Sequence, residues 1–573
     1  MRLRRPELAF GLLASALRAV ARGRLCLGVL CLGVLSLGVS ASAGADTARR
    51  PLVLSGEPLS VADIIEVARQ GRPVEISSKA RARVATTFEV VLAAARARLP
   101  VYGLTTGVGW NKDKDALKSA EALDPDLMAA SQRFNLGTLR AHAAGVGEAL
   151  PDDVVRAAMV VRLNLLLTGD GGVQPAVVDQ YAAFLNRNIT PVVPGRGSVG
   201  EADILQSAHI GLALAGEWKV RYGGAVVPAA QALSATGLKP VALVGKDFLA
   251  IIGDNSLTVA EALLAIHAAR TWLDHEVTIF ALSLEGLNGN VAPFLDVVVA
   301  AHPGHGFSVV AGRLRADLAG SDLWNVGDHR ALQDPLSFRT MPIVLGNAWE
   351  ALDAAEAEIL FFVNHSGDNP LVVTDTRSLA AQGEQVGRYI VPGMPNAAIV
   401  PTANFESLPL VAALERVGIA LGHSSESITE SVLRFENPAI TGLPRFLTAP
   451  DNPGHGFGAV QKAVVSLNSE IRSLAMPVSL ESGVLAGNIE DVTTNGPLTA
   501  RRLGELVEDL YPLASLQLLH AAQAVELRKG FHQGSGTRTL LEGYRTHVPF
   551  VEQDRILTGD IEAGAQFLRG MSP

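Results

Sequence analysis

Several side chains in this sequence could together carry out acid–base chemistry on a small molecule that bears both a carboxylate and a cation. Tyr102 begins a glycine-rich run, and a phenol can act as a base if its neighbours lower its pKa. The forked guanidinium of Arg339 suits a carboxylate, a geometry that lysine cannot reproduce. Glu201 and Asp203 stand at the predicted N-terminus of an apolar helix, where the helix dipole favours ionised carboxylates that could attract a cation.

Each of these residues also has a structural interpretation, which stays open at this point. Tyr102 could pack at a turn, Arg339 could pair with Asp334, and the two carboxylates could simply cap the helix that follows them. Glu470 lies on a helical stretch rich in apolar residues, where an unpaired carboxylate is costly. We therefore expect Glu470 either to pair with an arginine or to face a polar pocket.

Residues 1–45 have the composition of a cleaved signal peptide: arginines, then a short apolar run, then small residues. Both cysteines, Cys26 and Cys31, lie in this leader, so the mature chain can form no disulfide, thiol nucleophile or thiolate metal site. Removing the leader's six arginines and one glutamate changes the net charge from −9 to −14, which argues against a nucleic-acid partner. We expect a periplasmic or secreted protein with no membrane association after cleavage.

Two further site classes find little support. The 13 histidines are dispersed without a metal-ligand spacing, so no metal is predicted. Gly195, Gly197 and Gly200 fit a dinucleotide fingerprint only literally, because prolines interrupt the run before them and no alternation of strands and helices surrounds them.

The elements that must position these residues are mostly helical. Apolar residues recur with helical spacing at 152–167, 257–284, 341–363, 405–433, 468–474 and 498–529. Alternating patterns are scarce, and residues 218–227 are the best candidate for a hairpin. The sequence predicts a mainly α protein with an N-terminal region over residues 46–240 and a helical region over residues 241–573.

Several motifs, in order along about 90% of the mature chain, resemble those of the histidine and aromatic amino-acid ammonia-lyases. Residues 197–200 read Gly-Ser-Val-Gly, as in the family's cofactor loop. The other blocks are Tyr-Gly-Leu-Thr-Thr-Gly-Val-Gly at 102–109, Ala-His-Ala-Ala-Gly at 141–145, Gln-Asp-Pro-Leu-Ser-Phe-Arg at 333–339, Asn-His-Ser-Gly-Asp-Asn-Pro at 364–370, Ser-Glu at 469–470 and Asn-Ile-Glu-Asp at 488–491. The resemblance implies an ammonia-lyase and fumarase-like fold, with a long antiparallel central helical bundle and a smaller mixed N-terminal region.

The same resemblance draws attention to what is missing. In the family an Ala-Ser-Gly tripeptide follows the Gly-Ser-Val-Gly motif, cyclises and loses water to form an electrophilic methylidene-imidazolone. Here alignment requires a one-residue deletion and puts Glu201, Ala202 and Asp203 where the family has Ser-Gly-Asp, and Glu201 has no β-hydroxyl to eliminate. Leu336 replaces the neighbouring tyrosine and Gly253 a neighbouring asparagine. We therefore predict that no self-formed cofactor is present.

The resemblance also implies roles for individual residues. Tyr102 occupies the position of the family's base, Arg339 that of its carboxylate clamp, and Glu470 matches part of its late Ser-Glu pair. His142 is a candidate to contact an imidazole-type side chain, although a histidine on an alanine-rich helix also suits a structural role. Asn364 is expected to donate hydrogen bonds in the pocket. Family members form homotetramers whose pockets combine residues of three subunits, so a homotetramer is predicted.

These features predict a carbon–nitrogen lyase that eliminates an amine from a histidine-like or aromatic amino acid. Because the losses cluster around the electrophile, a substrate with a quaternary nitrogen is favoured, as in ergothionase-type enzymes that release trimethylamine from a thiohistidine betaine. A conventional ammonia-lyase is one alternative. The other is a non-catalytic binder of an amino-acid betaine, which would need the clamp but not the base.

Overall fold

Apolar residues spaced three and four positions apart produce helices along most of the chain, because that spacing places them on one face. A computed structural model describes residues 50–117, 125–327, 330–377, 379 and 382–571, and the predicted signal peptide lies outside these residues. Twenty α-helices lie in the described residues: α1 (Val61–Gln70), α2 (Ser78–Arg96), α3 (Pro125–His142), α4 (Asp152–Leu166), α5 (Pro175–Asn186), α6 (Ile204–Leu214), α7 (Ala229–Ala235), α8 (Asp247–Ile252), α9 (Ser256–Leu287), α10 (Asp296–Ala301), α11 (His305–Asp317), α12 (Leu336–Arg339), α13 (Met341–Asn364), α14 (Glu384–Gly387), α15 (Leu408–Phe435), α16 (Pro438–Thr441), α17 (Gln461–Leu474), α18 (Gly496–Leu527), α19 (Ser535–Arg545) and α20 (Thr558–Gly570). The predicted mainly α helical-bundle fold is confirmed.

The strands are short and peripheral to the helices. In the described residues they are β1 (Leu52–Leu54), β2 (Val74–Ile76), β3 (Val146–Ala149), β4 (Thr190–Pro191), β5 (Pro194–Arg196), β6 (Lys219–Tyr222), β7 (Ala225–Pro228), β8 (Leu371–Val373), β9 (Ile390–Val391) and β10 (Met394–Val400). They form small sheets in the orders β1-β2, β8-β10-β9, β3-β5 and β4-β6-β7. The predicted hairpin at 218–227 is confirmed as β6 and β7, with Lys219 opposite Pro228.

The long helices α9 and α18 pack side by side in the same direction. The hydroxyl of Tyr511 donates to the carbonyl of Ala268 over 3.2 Å, halfway along both helices. Near their C-terminal ends, Nε of Arg528 donates to the carbonyl of Gly286 over 2.8 Å. The two helices therefore end at the same side of the bundle.

Helix α13 runs antiparallel to α9, and a buried ion-pair cluster fixes one end of this pair. Arg162 contacts Asp254, just before α9, over 3.0 Å and Asp368, just after α13, over 2.8 Å. At the opposite end, the backbone amide of Asn290 donates to Asp334 over 2.7 Å. Because a buried charge without partners is costly, the cluster fixes the loop at 253–255 relative to the bundle.

The described residues all lie in one compact unit, and a single hydrophobic core includes residues on both sides of position 240. Among the described residues, one stretch, Asp247–Leu287, is long and apolar enough to cross a membrane, a property that core helices also have, and 89% of its most apolar window is buried in the protein. A second, smaller core contains Val101 and Leu104 together with Val372 and Ile399. This smaller core fixes the loop that carries Tyr102 against the sheet formed by β8, β9 and β10.

Candidate active site

Tyr102 lies half-buried in a tight turn with a hydrogen bond on its hydroxyl. Gly103 adopts a left-handed φ of +68°, which bends the chain sharply after the tyrosine. The backbone amide of Gly109 donates to the phenol oxygen over 2.8 Å. Burial raises the pKa of Tyr102, the Gly109 amide opposes this, and the charge of Glu490 raises it further. The resting protein therefore holds Tyr102 as a neutral phenol, whereas a base must lose this proton.

Glu201 interacts electrostatically with Glu490, the carboxylate whose charge also acts on Tyr102. Its side chain is half-buried, and its Oε1 is buried without a hydrogen-bond partner among the described residues. Burial raises the pKa of Glu201 to about 7, and the charges of Glu490 and Glu406 contribute to this rise. The three carboxylates therefore form an acidic group in which Glu490 connects Glu201 to Tyr102, and a cation is the natural counterpart of such a group.

The loop that carries Glu201 is held by its neighbours on both sides. The backbone amide of Asp203 donates to the carbonyl of Asp254 over 2.7 Å. The carboxylate of Asp203 accepts from the backbone amide of Thr258 over 2.9 Å and from its hydroxyl over 2.5 Å. Asp203 is thus the N-terminal flanking residue of α6, as predicted, but its side chain bonds to the first turn of α9 and does not cap its own helix. Burial raises the pKa of Asp203 to about 7.

The residues of this loop do not fit a cofactor made from Ala-Ser-Gly. Glu201 offers no hydroxyl to eliminate, and the nearest hydroxyl, on Ser198, accepts from the amide of Leu205 over 3.2 Å and so caps α6. The carbonyl of Gly200 accepts from the hydroxyl of Ser407 over 3.2 Å. The hydroxyl that the cyclisation eliminates is therefore missing at Glu201, and the Ser198 hydroxyl and the Gly200 carbonyl are already engaged.

Arg339 lies at the end of α12, on a different part of the chain surface. It donates to the side-chain carbonyl of Gln333 and lines a groove of about 420 Å³ together with Asp334 and Phe307. Tyr102 lines a separate cavity of about 570 Å³ that also contains Arg388. The two cavities share no lining residue in the described part of the chain, so a single chain does not bring Arg339 to Tyr102.

Glu470 is exposed on α17, so the expectation that burial forces it into an ion pair or pocket is wrong for the single chain. Its charge contributes to raising the pKa of Asp509, after the larger effect of burial. The carboxylate that accompanies Tyr102 and Glu201 is instead Glu490. Sequence reasoning missed it, although the Asn-Ile-Glu-Asp block at 488–491 contained the motif that could have revealed it.

Asn364 does not donate into a pocket, in contrast to the prediction. Its Oδ1 accepts from the backbone amide of Leu59 over 2.7 Å, and its Nδ2 donates to the carbonyl of the same residue over 3.1 Å. The amide thus pairs with backbone groups as a neighbouring strand would. Asn364 therefore holds the N-terminal segment against the end of α13.

His142 is the last residue of α3 and is half-buried. Its Nδ1 forms a hydrogen bond of 2.7 Å with the carbonyl oxygen of Thr138. Strand β3 begins four residues after His142 and pairs antiparallel with β5, with Val146 opposite Arg196. This pairing places the segment after His142 beside the start of the Glu201 loop. The hydrogen bond to Thr138 leaves the other ring nitrogen of His142 available for a ligand.

Comparison with known proteins identifies the family of this chain. The model of the family described as aromatic amino acid lyase matches residues 59–546. The chain belongs to this family. A histidine ammonia-lyase from Sorangium cellulosum is 33% identical over 523 residues, which cover 90% of this chain and 97% of that protein. A histidine ammonia-lyase from Treponema denticola is 32% identical over 89% of this chain and 95% of that protein.

Solved structures agree with this family membership. The crystal structure of the ergothioneine-degrading enzyme ergothionase from Treponema denticola, in complex with desmethyl-ergothioneine sulfonic acid, has a TM-score of 0.81 and 34% identity. The aligned region covers 91% of this chain and 98% of the ergothionase chain. Tyrosine aminomutase from Streptomyces globisporus has a TM-score of 0.80 and 28% identity. The aligned region covers 91% of this chain and 97% of the aminomutase chain. The protein is thus a carbon–nitrogen lyase of the histidine ammonia-lyase superfamily.

Proposed function

We propose that this lyase eliminates a tertiary amine from a trimethylammonium betaine of a histidine-like amino acid, in the manner of an ergothionase, and that it does so without a methylidene-imidazolone. The betaine of 2-thiohistidine is the preferred substrate, and the products are trimethylamine and the corresponding aryl-acrylate. The observation that carries this proposal is Glu201: a carboxylate with a buried, unpartnered oxygen stands where family members form an electrophile.

The chemistry of the leaving group connects these two features. A primary amine beside a weakly acidic C–H bond is hard to expel, and the family's electrophile solves that problem by activating the nitrogen. A quaternary nitrogen already carries the positive charge that makes it a good leaving group. Elimination of such a substrate needs only a base for the β-proton and groups that hold the rest of the molecule.

The acidic group supports recognition of a permanent cation. The charges of Glu490 and Glu406 add to the effect of burial in raising the pKa of Glu201 in the resting protein, so a bound cation would relieve the repulsion that Glu201 experiences. Trimethylammonium supplies charge but no hydrogen-bond donor, and its recognition therefore depends on electrostatics and contact. The substrate's cation would also offset the charge of Glu490, which favours ionisation of Tyr102.

Tyr102 then acts as the base. The phenolate removes the proton from the β-carbon, the electron pair of that C–H bond forms the carbon–carbon double bond, and the C–N bond breaks with its electrons on nitrogen. Trimethylamine leaves as a neutral molecule. The amide of Gly109, which donates to the phenol oxygen over 2.8 Å, stabilises the phenolate that precedes proton transfer.

A homotetramer would complete the site, because Arg339 and Tyr102 line separate cavities of one chain. Arg339 of one copy would then hold the carboxylate of a substrate bound beside Tyr102 of another copy. Exposed apolar side chains on three helices support assembly: Phe361 on α13, Ile419 on α15 and Val465 on α17.

We further propose cleavage of residues 1–45 and a periplasmic or secreted location, where the protein would encounter an external betaine.

A conventional histidine ammonia-lyase is the second candidate, favoured by the relatives that carry this name at 33% and 32% identity. Both proposals predict an absorbing aryl-acrylate product. The mature protein should therefore be incubated separately with histidine, histidine betaine and 2-thiohistidine betaine while near-ultraviolet absorbance and released amine are measured. We expect product and trimethylamine from a betaine, and none from histidine.

Two other outcomes would redirect the assignment. Product from histidine, with a polypeptide mass reduced by loss of water in the loop, would indicate a conventional ammonia-lyase. Betaine binding without product would indicate a binding protein. In the Tyr102→Phe variant we expect turnover to be lost while betaine binding stays measurable, because the clamp and the acidic group remain.

A further inference from the structure

An exposed tryptophan joins the two chain segments that carry the candidate base and its neighbouring carboxylate. Trp110 is 74% exposed, yet one face of its indole ring lies directly on the backbone of Gly487. A Cβ atom placed on Gly487 would lie 2.2 Å from Cδ2 of Trp110 and 2.5 Å from its Cε3. The contact therefore requires glycine, and the left-handed φ of +63° at Gly487 also favours glycine.

Each side of this contact is tied closely to a functional group. On one side, Trp110 follows Gly109, whose amide donates to the Tyr102 hydroxyl over 2.8 Å. On the other side, Gly487 lies inside a short loop that closes when the amide of Leu485 donates to the carbonyl of Glu490 over 2.8 Å. The ring thus spans from the turn that holds the phenol to the loop that holds the carboxylate.

We propose that Trp110 is a positioning residue that clamps the Tyr102 turn onto the Glu490 loop and so sets the alignment of the base. This inference rests on the proposed function, in which Tyr102 removes the β-proton. Between the turn at Gly109–Asn111 and the turn at Ala486–Asn488, the flat stack of indole on glycine lets the two backbones approach closely. A smaller side chain leaves a gap there, and a larger residue at 487 pushes the ring away.

The consequence for catalysis follows from alignment. A base displaced by about 1 Å loses on the order of 100-fold in rate, whereas the groups that bind the cation and carboxylate are not moved directly. We therefore expect Trp110→Ala to lower kcat by about 100-fold while KM changes by less than about threefold. Trp110→Phe keeps a flat ring on the glycine and should restore most of the rate. A purely structural role would lower the amount of folded protein without separating kcat from KM.

The reciprocal variant tests the contact from the other side. Gly487→Ala should reproduce the loss seen in Trp110→Ala, and the double variant should be no worse than either single one, because both remove the same contact. Trp324→Ala is the matched control, since Trp324 is also partly exposed but bonds to the carbonyl of Leu318. It should leave kcat unchanged.

A second readout keeps the clamp testable if the protein proves inactive on betaines. The titration of Tyr102 can be followed by phenolate absorbance as the difference between each protein and its Tyr102→Phe counterpart. Opening the clamp hydrates the phenol and removes it from Glu490, so Trp110→Ala should move the pKa of Tyr102 down toward its ordinary value. An unchanged Tyr102 titration in Trp110→Ala, or fully additive losses in the double variant, would overturn the proposal.

Discussion

Replacing Glu201 with glutamine tests the electrostatic argument most directly, because it removes one charge and keeps the shape of the side chain. Burial and the charges of Glu490 and Glu406 raise the pKa of Glu201 to about 7, so near pH 7 about half of the empty sites hold a proton on this carboxyl. A permanent cation bound beside it favours the ionised form. Betaine binding near pH 7 should therefore release about half a proton per site.

The size of the effect can be worked from Coulomb's law. A unit charge pair about 5 Å apart at an effective dielectric constant of about 20 is worth about 3 kcal/mol, which corresponds to about 100-fold in affinity. We expect Glu201→Gln to weaken betaine binding by up to this factor and to abolish the proton release. Glu552→Gln, a change at an exposed glutamate, is the matched control and should alter neither quantity.

Calorimetry in the Tyr102→Phe background measures both quantities without turnover. Binding heats in two buffers of different ionisation enthalpy give the number of protons released. Equal betaine affinity in the Glu201 variant and the parent, or binding heats that do not depend on the buffer, would refute the reasoning. Histidine binding as tightly as its betaine, with the same proton release, would instead favour an ammonium substrate.

The same substitution also has a consequence for stability. The folded-state pKa of Glu201 lies above the unfolded value of 4.5, so the native state loses stability as pH rises from about 4.5 through about 7. The full difference would be about 3 kcal/mol, and solvent screening of this half-buried side chain reduces it to about 1 kcal/mol. We expect Glu201→Gln to unfold at higher denaturant concentration than the parent at pH 8, with the advantage vanishing near pH 4.

Other substitutions test the remaining assignments. Glu490→Gln should change kcat and the pH dependence of turnover. Glu470→Gln should change both quantities only if assembly brings Glu470 to the site of a neighbouring copy. Steady-state kinetics measured across a range of pH distinguishes the two variants. Arg339→Lys should lower kcat/KM by about 100-fold through loss of the two-pronged carboxylate contact, with the oligomeric state unchanged in sedimentation. Glu276 is fully buried, and burial raises its pKa to about 8 against the opposing effect of Gln517. The free energy of unfolding should therefore fall as the pH rises from about 4.5 through about 8. In urea titrations, Glu276→Gln should make this fall smaller and raise the free energy of unfolding at pH 8 by up to about 4 kcal/mol.

The sequence alone was sufficient for the long helices α9, α13, α15 and α18, the hairpin at 218–227 and the family. Helical spacing of apolar residues is a local property, and packing preserves it because each helix must bury its apolar face somewhere. The chemistry of the loop at 197–203 was also readable, since the absence of a β-hydroxyl at Glu201 does not depend on how the chain folds.

The tertiary structure alone decided which side chains meet. Asn364 bonds to Leu59, 305 positions away, and no local pattern predicts that partner. Likewise, Glu470 and Glu490 both lie in family-like motifs, but only the packing of the loop at 485–490 against the Tyr102 turn selects Glu490. Local sequence sets conformation over a few residues, whereas the neighbours of a side chain depend on long-range packing of the whole core, and so does every pKa that those neighbours shift.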